Sequence, residues 1–436
     1  MSIKIALLGC GTVGTEVARL LKENKDIFTA RAGDELELIG ISVRNLDAPR
    51  DPIIDRDLLT DDAEGLIEKA DIVIELIGGI EPPRSLVLKA LNSGKSVVTG
   101  NKALLAAHGP ELYEAAAAND VDIYYEAAVA GAVPVVYALR ESMTGDRVLS
   151  VHGILNGTTN YILDEMTTKG LSYETALAQA QALGYAEADP TADVDGHDAA
   201  AKIAILASLA FHKRVSIDDV YVEGIRNVTA ADIATAKAMG YVIKLIATTQ
   251  MISNGTNNGI EVRVSPTMVP LSNPLASVQG SFNAVTIEGA AADRLTFHGR
   301  GAGGAPTASA VLSDVIAAAA KIVGGGRAPK EIVYGDTPIL DPCESRSRYF
   351  ITVVVQDVIG TLAAVADVFA EAGVSVSAIM QTPVREEGAE QDPADAQYLT
   401  ITTHEAKQCE IEETVRNLEA RKEVDRVIRM YRVEAN

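Results

Sequence analysis

The chain has no tryptophan, only 6 phenylalanines and 3 cysteines, and its 38 Lys and Arg are outnumbered by 60 Asp and Glu. Each shortage excludes something. Cys10, Cys343 and Cys409 stand far apart and make neither a metal-ligand spacing nor a disulfide pattern. The 6 histidines are scattered and add no metal motif. A net charge of −22 argues against a phosphate-backbone partner, so no nucleic acid is expected. No stretch reaches the roughly 18 apolar residues that cross a bilayer. The start, Met1–Leu8, is too short an apolar run for a signal peptide. The expectation is a reduced, soluble, cytoplasmic protein with no membrane partner. What remains is ordinary globular material. The 436 residues are 47% hydrophobic and 22% charged, enough for two or three domains with real cores.

Ile3–Leu8 suits a buried parallel strand. Gly9-Cys10-Gly11-Thr12-Val13-Gly14 follows, then Thr15–Leu21 with helical spacing. Strand, G-x-G-x-x-G and helix in this order read as a dinucleotide turn. Gly9 permits the turn, Gly11 lets the backbone approach a pyrophosphate, and Gly14 allows close helix–strand packing. A tight turn without a ligand is the plainer alternative. The second strand, Leu36–Val43, ends at Arg44. An acid there would hold the ribose 2′-hydroxyl of NAD, whereas an arginine suits a 2′-phosphate. NADP is therefore the expected cofactor, with NAD second; a solvated arginine at a strand end is the other reading. Asp71–Leu76, Ser96–Thr99 and Asp122–Glu126 alternate with helical Pro82–Asn92 and Ala103–Asn119, which predicts a doubly wound parallel sheet. Lys102 follows a strand at its carboxyl end, where such sheets bind ligands.

The middle of the chain carries the chemistry. Val148–Leu155 reads as a strand, and Asn156–Tyr161 as a polar loop opening a helix, with helix capping the simpler role for its Asn and Thr. Gly259–Ser265 and Ala284–Glu288 read as strands of a sheet carrying the substrate site. Gly299–Thr307 is a second glycine loop, opening helix Ala308–Ile322. Gly184–Lys202 places five acids and one lysine around the start of an otherwise apolar helix. A buried ammonium is costly unless paired, and burial lowers its pKa. Asp198, four residues before Lys202, shares its helix face. The two read as a proton-handling pair, or equally as a structural ion pair closing a helix end.

Ala180 to Lys202 also fits a long signature: alanine, three residues, glycine, then D-hydrophobic-x-G-x-D-x-x-x-K at its end. With Asn101-Lys102, Asn156–Tyr161 and Pro306–Ala310, the chain resembles the homoserine dehydrogenases along nearly its whole length. The resemblance implies reversible hydride transfer between NAD(P) and C4 of L-homoserine, giving L-aspartate 4-semialdehyde, in threonine, methionine and isoleucine biosynthesis. By matching position it implies Lys202 as proton donor and acceptor, with Asp198 and Glu187 binding homoserine and Asp193 supporting them. Lys102 would lie near the nicotinamide and the reacting oxygen. Thr12, Val13, Gly184 and Gly303 would join Gly9, Gly11, Gly14 and Arg44 at the cofactor. A monovalent cation such as sodium would sit on the turn of Glu126, Val129, Gly131 and Val133, held mostly by backbone carbonyls. A homodimer or homotetramer is implied as well.

After a linker rich in Gly, Pro and charge, Tyr349–Arg432 reads as βαββαβ. It resembles an ACT domain, with Asp357-Val358-Ile359-Gly360 where that family has D-x-P-G; Ile359 replaces the proline. An amino-acid effector, L-threonine in this setting, is implied, with Asp357 and Gly360 as effector contacts; a purely dimerising module is the alternative. The loop 382–396 reads as an acidic surface hairpin tip. The expected fold is α/β: a Rossmann-type dinucleotide domain over 1–130, with helix 304–322 packing back on it, then an α+β catalytic and dimerisation domain over 131–322. A linker over 323–347 and a ferredoxin-like ACT domain over 348–436 complete it. A 3-phosphoglycerate dehydrogenase would want a catalytic His–Glu arrangement and an interrupted catalytic domain, and neither is evident. An aspartate-semialdehyde dehydrogenase needs a cysteine nucleophile, for which none of the three cysteines is placed. A non-catalytic amino-acid sensor would not need Lys202. No aspartokinase-like segment precedes Met1, so a monofunctional enzyme is expected.

Overall fold

The amino-terminal apolar run forms β1 (Ile3–Leu8) at the centre of a parallel sheet, in a computed structural model that describes residues 2–253, 258–329, 335–382 and 396–434. Two compact units divide the chain. One comprises Met1–Val151, Ala201–Asp219 and Asn283–Asp336; the other comprises His152–Ala200, Val220–Phe282 and Thr337–Asn436.

In the first unit β1 is joined by β2 (Leu36–Ser42), β3 (Leu59–Thr60), β4 (Ile72–Glu75), β5 (Ser96–Thr99) and β6 (Ile123–Tyr124), in the order β3-β2-β1-β4-β5-β6. All neighbours are parallel, and the order reverses beside β1, where doubly wound sheets open a ligand crevice. The helix α1 (Thr12–Glu23) follows β1 and buries Val17, Ala18 and Leu21. Helix Gly304–Gly324 adds Ala308, Val311, Leu312, Val315 and Ala319 to the same apolar core as Ile5, Leu7 and Ile74. By length and composition this helix is apolar enough to cross a membrane, which corrects the expectation that no stretch is. Asp314 and Lys321 interrupt the run when it is read linearly; as a helix, its buried face covers the sheet.

In the second unit, thirteen-residue strands Tyr241–Ser253 and Asn258–Pro270 pair antiparallel. The carboxyl-terminal module follows the βαββαβ order, with strands Arg346–Gln356, Val376–Thr382, Ala396–Thr403 and Val424–Val433 and helices Thr361–Glu371 and Gln408–Glu419. Its core gathers Tyr349, Ile351, Val365, Phe369, Ile401 and Leu418. Its last strand runs parallel to Asn258–Pro270, with Thr267 opposite Arg432 and Met268 opposite Val433. The preceding connection is docked too: Ile260 N donates to Pro338 O at 2.9 Å, and Leu340 N to Ile260 O at 2.9 Å. Residues 383–395, the body of the acidic loop read from sequence, lie outside the described residues.

The cysteine reading needs correction. Cys343 and Cys409 are joined as a disulfide, their Cα atoms 4.8 Å apart across 66 residues of chain. The intervening module returns Cys409, in the first turn of helix Gln408–Glu419, to the 3₁₀ turn Pro342–Glu344. Linear spacing carries no trace of that return. Cys10 is a free thiol.

Candidate active site

The first unit builds a nucleotide crevice. Gly9 has φ +102°, and a Cβ there would lie 2.6 Å from the carbonyl oxygen of Leu76. A Cβ on Gly14 would run into the carbonyl oxygen of Gly9. Gly11 caps α1 without a side-chain hydrogen bond, so the first-turn amides of Thr12 and Val13 face no capping group, as an anion site requires. A cavity of about 1000 Å³ opens at these strand ends, lined by Gly9, Gly11, Arg44, Arg50 and Gly78 among others. Arg44 is exposed at this cavity. Arg50, which sequence reading passed over, donates from Nη1 to Cys10 O at 3.0 Å and from Nη2 to Asn45 O at 3.1 Å. It braces the strand end that carries Arg44 against the glycine turn.

A second network sets Lys102. Glu75, wholly buried at the end of β4, accepts from Ile77 N at 2.8 Å and from the Thr99 hydroxyl at 2.6 Å. Thr99 Oγ1 accepts from Asn101 N at 3.0 Å, and Asn101 Oδ1 caps the helix Lys102–Ala118 by accepting from Leu104 N at 3.1 Å. Lys102 is therefore the first residue of a helix whose start is fixed from two strand ends. Gly303, at φ +120°, caps helix Gly304–Gly324. A Cβ on the adjoining Gly304 would sit 3.0 Å from Thr12 Cγ2, so the second glycine loop lies against the first.

The turn from Glu126 to Val133, buried except at Ala132, lies against the second glycine loop, where a Cβ on Gly131 would run into Gly301 O. Ala130 and Gly131 are left-handed, at φ 56° and 57°. Ala132 N donates to Arg300 O at 3.1 Å. The Glu126 carboxylate accepts from Val136 N at 3.0 Å and Tyr137 N at 2.6 Å, and burial pushes it up to about 7. Glu126 N in turn donates at 2.8 Å to Asp314, whose own burial, with Glu126 close by, raises it well above the carboxylate range. With its carboxylate committed to amides, Glu126 offers a cation its carbonyl. Glu126 O and Val133 O already accept from Val129 N and Val135 N, but a carbonyl keeps a second lone pair. No cluster of three or more His, Cys, Asp or Glu suited to a metal occurs among the described residues.

The second unit assembles acids. Asn156 caps helix Gly157–Lys169 by accepting from Thr159 N at 2.8 Å. Its Nδ2 donates to Asp193 Oδ1 at 2.6 Å and to Asp198 Oδ2 at 2.9 Å. Thr158, next in the same loop, donates to Tyr185 O at 2.7 Å. Gly184, at φ +75°, turns the chain out of helix Tyr173–Ala182. Gln181 Nε2 donates to Glu187 O at 3.0 Å and steadies that turn, leaving the Glu187 side chain exposed. Gly196, at φ +88°, ends the short helix Thr191–Val194 and lets helix His197–Phe211 begin. That helix carries Asp198 and Lys202 one turn apart, 8% and 9% exposed. Asp193, Asp198 and Asn156 are thus gathered directly, whereas Glu187 lies apart on the exposed turn. In the carboxyl-terminal module Gly360, at φ +98°, caps helix Thr361–Glu371, and Asp357 accepts from Gln397 at 3.4 Å.

Residues 134–316 match the homoserine dehydrogenase family, residues 9–126 match the NAD-binding domain of homoserine dehydrogenase, and residues 349–420 match the ACT domain. A homoserine dehydrogenase of Corynebacterium glutamicum is 53% identical over 437 residues, covering 99% of this chain and 96% of that one. The chain belongs to the homoserine dehydrogenase family. A solved homoserine dehydrogenase from Thiobacillus denitrificans superposes with a TM-score of 0.91 at 36% identity, over 100% of this chain and 98% of that one. A hyperthermophilic archaeal homoserine dehydrogenase in complex with NADPH aligns over 76% of this chain and 100% of its own, at 27% identity and a TM-score of 0.62. As a homoserine dehydrogenase the chain is an oxidoreductase with a Rossmann-type NAD-binding sheet, a catalytic domain and a carboxyl-terminal ACT domain. The features that sequence reading missed, Arg50, Glu75 and Asp314, share one cause. Each meets a group that the chain brings back from far along the sequence: Cys10 O for Arg50, the Thr99 hydroxyl for Glu75 and Glu126 N for Asp314.

Proposed function

We propose that this homoserine dehydrogenase interconverts L-homoserine and L-aspartate 4-semialdehyde with a preference for NADP, serving threonine, methionine and isoleucine biosynthesis. The observation that carries the reading is the buried pair Asp198 and Lys202, one turn apart on helix His197–Phe211. Bound NADP supplies the hydride chemistry. Lys202 gives a proton to the C4 oxygen as negative charge develops there, and takes it back in the oxidative direction. Lys102 adds positive charge beside the same oxygen. Asp198 and Glu187 bind homoserine, Glu187 through the substrate's amino group, and Asp193 supports Asp198. Gly9, Gly11, Thr12, Val13 and Gly14 receive the pyrophosphate, with Gly184 and Gly303 completing the cofactor's surroundings.

Arg44 reads the 2′-phosphate, a reading supported by its place at the end of β2 on the crevice. The NADPH complex of the archaeal relative is in keeping with it. The carbonyls of Glu126, Val129, Gly131 and Val133 hold a monovalent cation such as sodium, which stiffens the turn. The ACT domain binds an amino-acid effector, L-threonine, through the Asp357–Gly360 loop and inhibits the enzyme. The residue ranges 1–130, 131–322, 323–347 and 348–436 serve as dinucleotide, catalytic, linking and regulatory segments. The test is reduced-nicotinamide absorbance with L-aspartate 4-semialdehyde, comparing NADPH with NADH, with and without threonine. Rapid NADPH oxidation, slower NADH oxidation and inhibition by threonine are expected. Folded protein that oxidises neither would overturn the enzyme reading in favour of an amino-acid sensor.

A further inference from the structure

Asn156 is 5% exposed, and every hydrogen-bonding position on its carboxamide is used. Oδ1 accepts from Thr159 N at 2.8 Å and from Thr159 Oγ1 at 3.0 Å. The two hydrogens on Nδ2 go to Asp193 at 2.6 Å and Asp198 at 2.9 Å. Aspartate would keep the helix cap and lose both donors, serine would keep the cap with at most one donor, and glutamine is one methylene too long. The cap alone therefore does not explain why this position holds asparagine.

The helix that Asn156 caps is held as firmly as the residue itself. Asn160 donates to Gly280 O at 2.8 Å, and Lys244 Nζ donates to Asn160 Oδ1 at 2.9 Å and to Val278 O at 2.6 Å. Gly280 N donates to Asp164 at 2.7 Å. Asn156 thus projects from a buried scaffold and not from a loose loop.

We propose that Asn156 is a positioning residue of the reaction. By bridging Asp193 and Asp198 it keeps two neighbouring carboxylates ionised in one geometry. It thereby fixes the turn of helix from which Lys202 projects. Two carboxylates this close with no donor between them would drive one to take up a proton. Hydrogen bonds to ionised acceptors are the strong kind, so both would be missed. This inference rests on the proposed function above.

The test compares wild type with N156S and N156D. Homoserine oxidation is followed from about pH 6 to about pH 10, alongside melting temperature and NADPH affinity by fluorescence. N156S keeps the cap, the fold and NADPH affinity, and loses about 100-fold in kcat/KM for homoserine, the scale of a small misplacement. N156D, as good a cap as asparagine, loses more, and its loss deepens with rising pH as a third carboxylate ionises beside the other two. It stands as the second variant should N156S fail to fold. Both variants within about threefold of wild type, with an unchanged pH profile, would show Asn156 to be a cap alone and overturn the inference. Wild type without homoserine-dependent turnover would overturn the proposed function, and this inference with it.

Discussion

Lys244, on strand Tyr241–Ser253, is 3% exposed, and burial pushes its ammonium down to about 8 from an ordinary 10.5. Asp164 opposes the shift only partly. The consequence for stability has a definite sign. Below about pH 8 both folded and unfolded chains carry the charge, and the folded one bears the full cost of burying it. Above about 10.5 both are neutral and that cost is gone. Between the two the unfolded chain holds more protons, so stability rises with pH. A gap of about 2.5 units at ~1.4 kcal/mol each amounts to about 3 kcal/mol. Lys244→Met removes the ammonium and keeps most of the volume. It leaves the carbonyls of Asn160 and Val278 short of a donor, a loss that does not depend on pH. Thermal unfolding of both proteins at closely spaced pH isolates Lys244, because every other titrating group is common to both. With about 2.1 cal/mol/K of melting entropy per residue, the wild-type melting temperature should climb relative to the variant by roughly 3 °C across this window when the 436 residues unfold together. A constant difference from pH 7 to 10.5 would refute the reasoning.

Other outcomes are expected at the site and in the module. Arg44→Ala should lower kcat/KM for NADPH by about 10- to 100-fold and leave that for NADH nearly unchanged, which steady-state assays with both cofactors check. Lys202→Met should lose about 1000-fold in turnover while melting temperature and NADPH affinity hold. Gly14→Ala drives a methyl group against the carbonyl of Gly9, so dinucleotide affinity measured by fluorescence quenching should fall by at least about tenfold. Asp357→Ala should raise the threonine concentration for half inhibition by about tenfold with uninhibited turnover retained.

What could be read from the sequence was what neighbours along the chain decide. Ile3–Leu8, the glycine turn and the start of α1 lie within some twenty residues, and their meaning is local. The same holds for the βαββαβ order at the carboxyl end. Lys202 stood out because one charge in an apolar helix is visible without a fold. The helix Gly304–Gly324 is legible as a helix that packs back on the first sheet, but its membrane-like composition is not, since polar residues break the run on paper. Asn156 was read as a cap, which it is, but its two other partners lie 37 and 42 residues away and leave no periodic mark. The pairing of Cys343 with Cys409 depends on the module between them closing on itself.

The parallel step between Asn258–Pro270 and Val424–Val433 bears on how such a module could be gained or lost. A domain on a flexible tether can be cut off or exchanged with little injury. Here removal would strip a neighbour from Thr267 and Met268 and expose main-chain donors and acceptors along a newly bared sheet margin, a surface that invites pairing with other chains. Shortened proteins ending before Arg346 should therefore clump even where their catalytic residues are intact. Module exchange would succeed only where the incoming strand restores the Thr267–Arg432 register, because a slip of one residue turns every side chain to the opposite face.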